Sequence, residues 1–192
     1  MDNTFNLDIE IDQHIDVVRE SIDSFKINIP KISKLIISTF ESGGKVYTFG
    51  NGGSAADSIH FSAELTGKFR KMERKPLPCI SLSENISTLT AIGNDFNFSE
   101  IFSRQIDAFG KKGDLVIGIT TSGRSSNILE AFKKAKQLNL NTICLTGDMK
   151  GLKIDNADIT FEVKSSDTAR IQESHILFIH LICDLIDKHF TA

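Results

Sequence analysis

Residues 46–55 are Val46-Tyr47-Thr48-Phe49-Gly50-Asn51-Gly52-Gly53-Ser54-Ala55, a short apolar run that leads into a glycine-bearing polar loop. Residues 115–126 repeat the arrangement, with Leu115-Val116-Ile117-Gly118-Ile119 followed by Thr120-Thr121-Ser122-Gly123-Arg124-Ser125-Ser126. An apolar run, a glycine loop and a helical pattern in succession are typical of a buried strand joined to a helix. The two stretches therefore predict βα units and an α/β fold.

Both loops have the chemistry of an anion site. The N-terminus of a helix offers unpaired N–H groups and the positive end of the helix dipole. Glycine lets the backbone approach a ligand closely, and Ser and Thr hydroxyls add donors. Two such loops in one small domain predict a phosphorylated small-molecule ligand; the alternative is a pair of βα turns with ordinary capping residues.

The rest of the sequence repeats the alternation of strand and helix, which predicts a parallel sheet with helices on both faces. Ligands of such sheets bind beyond the carboxyl ends of the strands, where both glycine loops lie. The predicted strands are Val46–Phe49, Cys79–Leu82, Leu115–Ile119, Thr142–Leu145 and Ile159–Val163. The predicted helices are Ser54–Thr66, Glu84–Ile92, Ser99–Phe109, Ser125–Leu138 and Thr168–Phe190.

The segment that precedes this core is predicted to be helical. Its apolar residues recur at alternating steps of four and three, as in a helix that packs lengthwise on other helices. They are Ile11, Ile15, Val18, Ile22, Phe25 and Ile29. We expect Pro30 to end this helix and a second helix, Ile32–Phe40, to end at Gly43-Gly44. The apolar stripe favours a subunit interface, and packing on its own domain is the alternative.

Composition and charge exclude several classes of protein. A chain of 192 residues with 40% hydrophobic and 24% charged residues suits one globular domain. A net charge of -3 argues against a general nucleic-acid-binding protein. The run from Lys68 to Lys75 is the one basic cluster, and we expect either a solvated surface loop or a rim that attracts an anionic substrate.

We expect no membrane association and a cytoplasmic location. The segment Met1–Asp12 lacks the basic and apolar parts of a signal peptide, and Ile176–Cys183 is too short to span a bilayer. The three cysteines, Cys79, Cys144 and Cys183, lie far apart in apolar runs. They predict buried, reduced thiols rather than a disulfide framework.

Four polar residues near the loops have the chemistry of a metal or acid–base site. His60 and Glu64 are four residues apart and share a helix face, and Gln172 and His180 lie on the last helix. Two imidazoles and a carboxylate, with an amide oxygen as a weaker fourth ligand, form a plausible zinc set. The same groups suit general acid–base catalysis. The alternatives are a surface helix pair for His60 and Glu64, and a core histidine for His180.

The first loop also matches a loose dinucleotide fingerprint, Gly50-x-Gly52-x-x-Ala55. That interpretation needs an acidic residue after the next strand, and the one candidate, Glu84, comes too late in the sequence. A nicotinamide oxidoreductase is therefore the weaker alternative, because it explains neither the second loop nor the four polar residues.

Several motifs together resemble the sugar isomerase (SIS) family, and within it the phosphoheptose isomerases. They are Gly50-Asn51-Gly52-Gly53-Ser54-Ala55-Ala56-Asp57, His60-Phe61-x-x-Glu64-Leu65-x-Gly67, Ala91-Ile92-Gly93-Asn94-Asp95-Phe96, Phe102-Ser103-Arg104-Gln105, Thr121-Ser122-Gly123-x-Ser125 and Ala169-Arg170-Ile171-Gln172-Glu173. The likeness extends from about Gly43 to the end of the chain, in order and in spacing. One departure is Ala169, where several members carry an aspartate that would contact a sugar hydroxyl.

The resemblance implies a flavodoxin-like five-stranded parallel sheet and a homotetramer with the N-terminal helices in a central bundle. Residues 1–192 would form one SIS domain, with a helical segment at 1–43 and an α/β core at 44–192. The implied reaction converts sedoheptulose 7-phosphate to glycero-manno-heptose 7-phosphate, the first step towards nucleotide-activated heptose for lipopolysaccharide or capsule.

The resemblance also implies roles for individual residues. One zinc per subunit would be held by His60, Glu64, Gln172 and His180, with Glu64 as base and His180 as acid. The implied substrate-binding residues are Asn51, Gly52, Gly53, Ser54, Glu64, Asn94, Asp95, Thr120, Thr121, Ser122, Ser125 and Gln172. The alternative within the family is a non-enzymatic relative that binds the replication initiator DnaA and lacks the full set; this chain keeps all four metal-site residues.

Helix geometry raises a difficulty for a site with all four ligands. Gln172 and His180 are separated by about 12 Å of rise and roughly 80° of rotation on a straight helix. Either the helix is distorted near His175, or a neighbouring chain supplies one ligand. We predict the second, an active site built between subunits, because the C-terminal helix is apolar almost all round and suits an interface.

Overall fold

The computed structural model describes residues 6–70 and 73–191. Its centre is a parallel sheet of β1 (Val46–Gly50), β2 (Cys79–Ser81), β3 (Leu115–Ile119), β4 (Asn141–Thr146) and β5 (Ile159–Glu162). The strand order is β2-β1-β3-β4-β5. This is the flavodoxin-like order, in which the chain changes direction across the sheet between β1 and β3. The predicted fold class and all five predicted strands are confirmed.

Among residues 6–70 and 73–191, seven α-helices cover the sheet: α1 (Leu7–Glu20), α2 (Ile22–Glu41), α3 (Gly53–Thr66), α4 (Ile86–Asp95), α5 (Ser103–Phe109), α6 (Ser126–Gln137) and α7 (Thr168–Phe190). The N-terminus of α4 is later than predicted, because the Asn85 side chain caps the N–H of Thr88. The predicted helix Ser99–Phe109 is divided into a short 3₁₀ turn, Phe98–Glu100, and α5.

The central strands β1 and β3 are buried on both faces, as their continuous apolar runs require. On one face, alternate strand residues such as Ile117 and Phe161 pack with α2, α3 and α7. Phe161 stacks on Phe178 of α7 with ring centroids 3.7 Å apart. On the other face, Phe49 and Val116 pack with α5 and α6. Helices α3 and α7 are therefore on the same side of the sheet.

The prediction that Pro30 separates the N-terminal helices is wrong. The break falls at Ser21, whose Oγ accepts the Lys164 N–H at 2.9 Å, and Pro30 lies inside α2. Phe25 and Ile36, on either side of Pro30, are both buried against the core, so tertiary packing holds the helix together across it. Pro30 itself is exposed, and water can reach the carbonyl that loses its partner. The predicted end at Gly43 is confirmed, with a φ of 80°.

Helix α1 lies against α7 of the same chain. Arg170 donates to the Glu10 carbonyl and pairs with its carboxylate at 3.5 Å. None of the α1 residues is fully buried, and Ile11 of the predicted stripe stays 48% exposed. The apolar stripe therefore packs only partly on its own domain.

Two predictions fall partly outside the described residues. These are the absence of a signal peptide, for Met1–Phe5, and the basic cluster, for Lys71. Within the described ranges, no helix has both the length and the apolar character needed to cross a membrane. All three cysteines are buried and free, as predicted.

Candidate active site

The two glycine loops meet in one cavity. It lies beyond the carboxyl ends of the neighbouring strands β1 and β3, at the switch point where sheets of this order bind ligands. Its volume is about 250 Å³. The lining residues are Asn51, Gly52, Gly53, Ser54, Ile119, Thr120, Thr121, Ser122, Ser125, Thr168 and Gln172. Most of the residues that the sequence assigned to substrate binding are therefore in one place.

The first loop is held open by its glycines and by two side chains. Gly52 has a φ of 55°, which favours glycine, and no side chain caps α3. Ser83 accepts the Gly50 N–H at 3.1 Å. Asn51 and Asn127 exchange amide hydrogen bonds of 2.9 and 2.8 Å, which tie this loop to the start of α6. Because the Asn51 side chain is occupied in this way, the N–H groups of the first helical turn are the main donors to the cavity.

The second loop has the same construction. Gly123 has a φ of 64°, and Ser125 precedes α6 without making a side-chain cap. The Ser122 hydroxyl accepts the Arg124 N–H at 3.2 Å and remains exposed. The Thr120 and Ser125 hydroxyls approach each other at 3.4 Å. Two uncapped helix N-termini and a group of hydroxyls thus surround the cavity, which is the arrangement that binds a phosphate dianion.

Gln172 completes the cavity from α7. A Cβ atom on Gly53 would lie 2.6 Å from the Nε2 and Oε1 atoms of Gln172, so the amide packs directly over the start of α3. The close approach explains why the first helical residue is a glycine.

A second group of polar residues lies farther along α3 and α7. His60 Nε2 is 2.9 Å from Glu64 Oε1 and 3.4 Å from His180 Nε2. One ligand atom from each residue lies within 4.8 Å of the other two. The spacing of the helices explains the meeting: His60 is seven residues beyond Gly53, and His180 is eight beyond Gln172. Two helices in contact at Gly53 and Gln172 are in contact again two turns later.

This group of three residues fits zinc. The preferred ligands of zinc are imidazole and carboxylate, and a tetrahedron with zinc–nitrogen distances of about 2.0–2.1 Å has edges of about 3.4 Å. The two imidazole nitrogens have that separation. Burial and the neighbouring His60 lower the pKa of His180, as Arg70 also does, while Glu64 opposes the shift. A lowered pKa keeps the imidazole neutral, which is the form that binds a metal.

Asp57, one turn before His60, is a further ionisable group on α3. Burial raises the pKa of its carboxyl to about 6, and the proximity of His60 opposes the shift. Its Oδ2 atom is buried without a hydrogen-bond partner among the described residues.

The structure does not bring every predicted residue to the cavity. Asn94 and Asp95 are at the end of α4, are exposed, and hydrogen-bond to each other at 2.8 Å. They are not among the residues that line the cavity between the loops.

Three of the four predicted ligands come together within one chain, and the supply of one ligand by a neighbouring chain stays a prediction. One chain supplies His60, Glu64 and His180, because α3 and α7 pack side by side. The sequence raised a geometric difficulty because it placed Gln172 and His180 on one metal. In the structure, Gln172 contacts α3 at Gly53, and His180 contacts it two turns farther on, at His60.

The basic cluster is a solvated loop only in part. Lys68, Arg70 and Lys75 are exposed, as the first of the two alternatives predicts. Arg74 is buried and pairs with Asp187 of α7. Composition alone does not reveal a buried arginine, because the buried partner is more than 100 residues away. Asn127, Ser83 and Thr168 were likewise not predicted, since each is an ordinary polar residue near a helix start or strand end.

Comparison with known proteins agrees with this geometry. The family model described as the SIS domain matches residues 11–147. A phosphoheptose isomerase of Helicobacter pylori is 48% identical over 178 residues, which cover 93% of this chain and 92% of the relative. A phosphoheptose isomerase of Campylobacter jejuni is 48% identical over 181 residues, covering 94% and 96%.

Solved structures give the same result. The phosphoheptose isomerase of Neisseria gonorrhoeae superposes with a TM-score of 0.86 at 39% identity, covering 94% of this chain and 97% of that one. The enzyme from Francisella tularensis gives a TM-score of 0.88 at 36% identity, covering 98% and 100%. The chain therefore belongs to the SIS domain family, among its phosphoheptose isomerases, and is an isomerase. These matches do not favour the DnaA-binding alternative.

Proposed function

We propose that this protein converts sedoheptulose 7-phosphate to D-glycero-D-manno-heptose 7-phosphate through an enediol. The observation that carries the proposal is the placement of two sites along α3 and α7. A phosphate-type cavity lies at their first contact, and a carboxylate–imidazole group lies two turns farther on. The substrate carries its phosphate on C7 and reacts at C1 and C2, so its two ends need two separate sites.

The phosphate binds at the second loop, on Thr120–Ser125 and the start of α6. That loop offers exposed and half-buried hydroxyls and an uncapped helix N-terminus. Both favour a dianion. The first loop and Gln172 bind the sugar from the opposite wall of the cavity. Asn94 and Asp95 contact the substrate only if it extends beyond this cavity.

The chemistry moves one proton between adjacent carbons. Glu64 removes a proton from C1 of the ketose and returns it to C2, while His180, through the ring nitrogen that does not bind the metal, protonates O2 and accepts the proton of O1. The two residues belong to one group in the structure, with His60 between them. A neutral His180 suits both transfers, and its lowered pKa favours that form.

We propose that His60, Glu64 and His180 hold one zinc per subunit. Gln172, the fourth ligand that the family implies, packs on Gly53 two helical turns away in this structure and is assigned here to the sugar. When bound, the metal would polarise the carbonyl or orient the two oxygens of the enediol. A carboxylate held tightly by a metal is a poor base, so Glu64 is a weak or variable ligand.

We further propose a homotetramer of single SIS domains, with residues 1–43 in the central bundle and residues 44–192 as the α/β core. Exposed apolar residues support it: Ile11 and Ile22 on the N-terminal helices, and Ile59 and Leu181 beside the histidines. The buried free thiols are consistent with the reducing cytoplasm.

The test compares wild type with Glu64→Gln in D₂O. Zinc-loaded wild type is expected to turn over sedoheptulose 7-phosphate and to incorporate solvent deuterium at the reacting carbon, and Glu64→Gln to lose both. Glu41→Gln is the matched control, because Glu41 also pairs with a histidine, His189, at 2.8 Å but lies elsewhere. Absence of turnover in wild type would refute the function, and exchange that persists in Glu64→Gln would assign the base to another residue.

A further inference from the structure

Arg74 is a charged residue with no exposed side-chain surface. It lies between α3 and β2, and its partner, the Asp187 carboxylate, is 3% exposed. An arginine has five N–H donors, and burial is costly unless each finds an acceptor. Arg74 satisfies all of them. Nε donates to Asp187, and the terminal nitrogens donate to the carbonyls of Leu65, Lys75, Glu64 and Gly67.

Three of these acceptors are at the end of α3. The last carbonyls of a helix have no partner within it and carry the negative end of its dipole. Arg74 binds those of Glu64 at 2.7 Å, Leu65 at 2.8 Å and Gly67 at 3.2 Å. The guanidinium therefore acts as the cap of the helix that carries His60 and Glu64, and it binds the backbone of Glu64 itself.

On α7, the partner carboxylate is aligned with the other member of the polar group. Asp187 is seven residues after His180, which is two helical turns on the same face. The ion pair thus joins the end of α3 to the face of α7 that presents His180.

The same carboxylate also anchors the loop after α3. Its second oxygen accepts the Arg70 N–H at 2.7 Å. Phe69, the preceding residue, packs its ring 5.6 Å from that of His180. Asp187 therefore holds His180 in place through the loop as well as through α7.

We propose that Arg74 and Asp187 are positioning residues that set the distance between Glu64 and His180. The proposal builds on the proposed isomerase function and on the metal site formed by the same helices. A buried ion pair contributes little net stability compared with an apolar pair, but it defines one geometry. Here that geometry is the one in which a carboxylate and two imidazoles converge.

The test uses Arg74→Lys, Asp187→Asn and Asp187→Glu. Arg74→Lys keeps the positive charge but has three N–H donors in place of five. Asp187→Glu keeps the negative charge but places the carboxylate one methylene farther from the backbone of α7. Each variant is expected to weaken zinc binding at least about 10-fold in a chelator competition, as loss of an outer-shell partner does. Each should also lower kcat at least about 10-fold, with KM for the sugar phosphate within about 3-fold, because the phosphate cavity is untouched.

Leu140→Ala is the matched control for lost stability. Leu140 is buried in the core on the opposite face of the sheet, away from α3 and α7. It should lower the melting temperature while leaving zinc affinity and kcat close to wild type. All measurements are made at a temperature at which circular dichroism shows each protein folded.

Native zinc affinity and kcat in the folded variants would overturn the proposal, leaving the pair a role in stability alone. Failure of all three variants to fold at 15 °C would overturn it too, since the pair would then be a requirement of folding. Zinc affinity separates this proposal from the proposed function. If wild type has no isomerase activity, weaker zinc binding in the variants still supports the positioning role.

Discussion

Gly53 shows how one missing side chain shapes the site. We expect Gly53→Ala to displace the Gln172 amide, because the new Cβ would come within 2.6 Å of it. The amide is the end of a flexible side chain, so stability should fall by less than about 1 kcal/mol. The value of kcat/KM should fall about 10-fold, as for the loss of one hydrogen-bonding group.

A double-mutant cycle with Gln172→Ala checks this prediction. If Gly53→Ala acts through Gln172, it should have no further effect on kcat/KM in the Gln172→Ala background. Additive losses would show that the alanine disturbs the loop itself.

Ser122 tests the placement of the phosphate. Its hydroxyl is exposed at the second loop, in the cavity. Ser122→Ala should raise KM for the sugar phosphate about 10-fold with little change in kcat, because the phosphate is bound alike in ground and transition states. Ser38→Ala, an exposed serine on α2, is the control. An unchanged KM in both Ser122→Ala and Ser125→Ala would move the phosphate elsewhere.

His175 is the core histidine that the sequence did not distinguish from the others. Its Nε2 faces the Thr146 carbonyl at 3.3 Å, and burial lowers its pKa from 6.5 to about 4. The unfolded chain takes up a proton at higher pH than the folded one. The free energy of unfolding is therefore highest, as far as His175 is concerned, above pH 6.5, and it decreases as the pH falls towards 4.

We expect about 2 kcal/mol of the free energy of unfolding to depend on His175 between pH 7 and pH 5. Urea titrations at pH 7 and pH 5 measure the free energy of unfolding. Its change between the two pH values should be smaller by about 2 kcal/mol in His175→Leu than in wild type. An unchanged slope in His175→Leu would mean that the folded protein accommodates the protonated imidazole.

At the scale of elements, the N-terminal helices show packing overriding a local signal. Pro30 lies at an exposed position inside α2, where it removes one helical hydrogen bond. Pro30→Ala is expected to raise the free energy of unfolding by about 1–2 kcal/mol, after the added entropy of the unfolded chain is subtracted. Differential scanning calorimetry measures the change. A lower melting temperature would mean that the proline ring has a packing role in the assembled protein.

At the scale of the whole molecule, the structure makes a specific prediction for mixed oligomers. Because one chain supplies Glu64 and His180, hybrids of Glu64→Gln and His180→Ala subunits should remain inactive. Mass spectrometry of differently tagged subunits confirms exchange. Hybrids of wild type with Glu64→Gln should keep activity in proportion to their wild-type subunits. Recovered activity in the double-variant hybrids would show that the active group is completed between chains.

Local patterns were sufficient for the strands and for the two glycine loops. Apolar runs such as Leu115–Ile119 identify buried strands, and a glycine loop before a helix predicts an anion site. Strand alternation then predicts the parallel sheet, which brings the ends of β1 and β3 together. The cavity between the two loops followed from the sequence, because each part of it depends on a few consecutive residues.

The meeting of His60 and Glu64 with His180 depended on the tertiary structure. His180 is more than 100 positions from the other two residues, and the contact depends on the register in which α3 and α7 pack against each other. Tertiary packing also buries Arg74 against Asp187, places Gln172 over Gly53 and moves the helix break from Pro30 to Ser21. Local periodicity shows which face of a helix is buried. Only the packed core determines which residues of two buried faces come into contact.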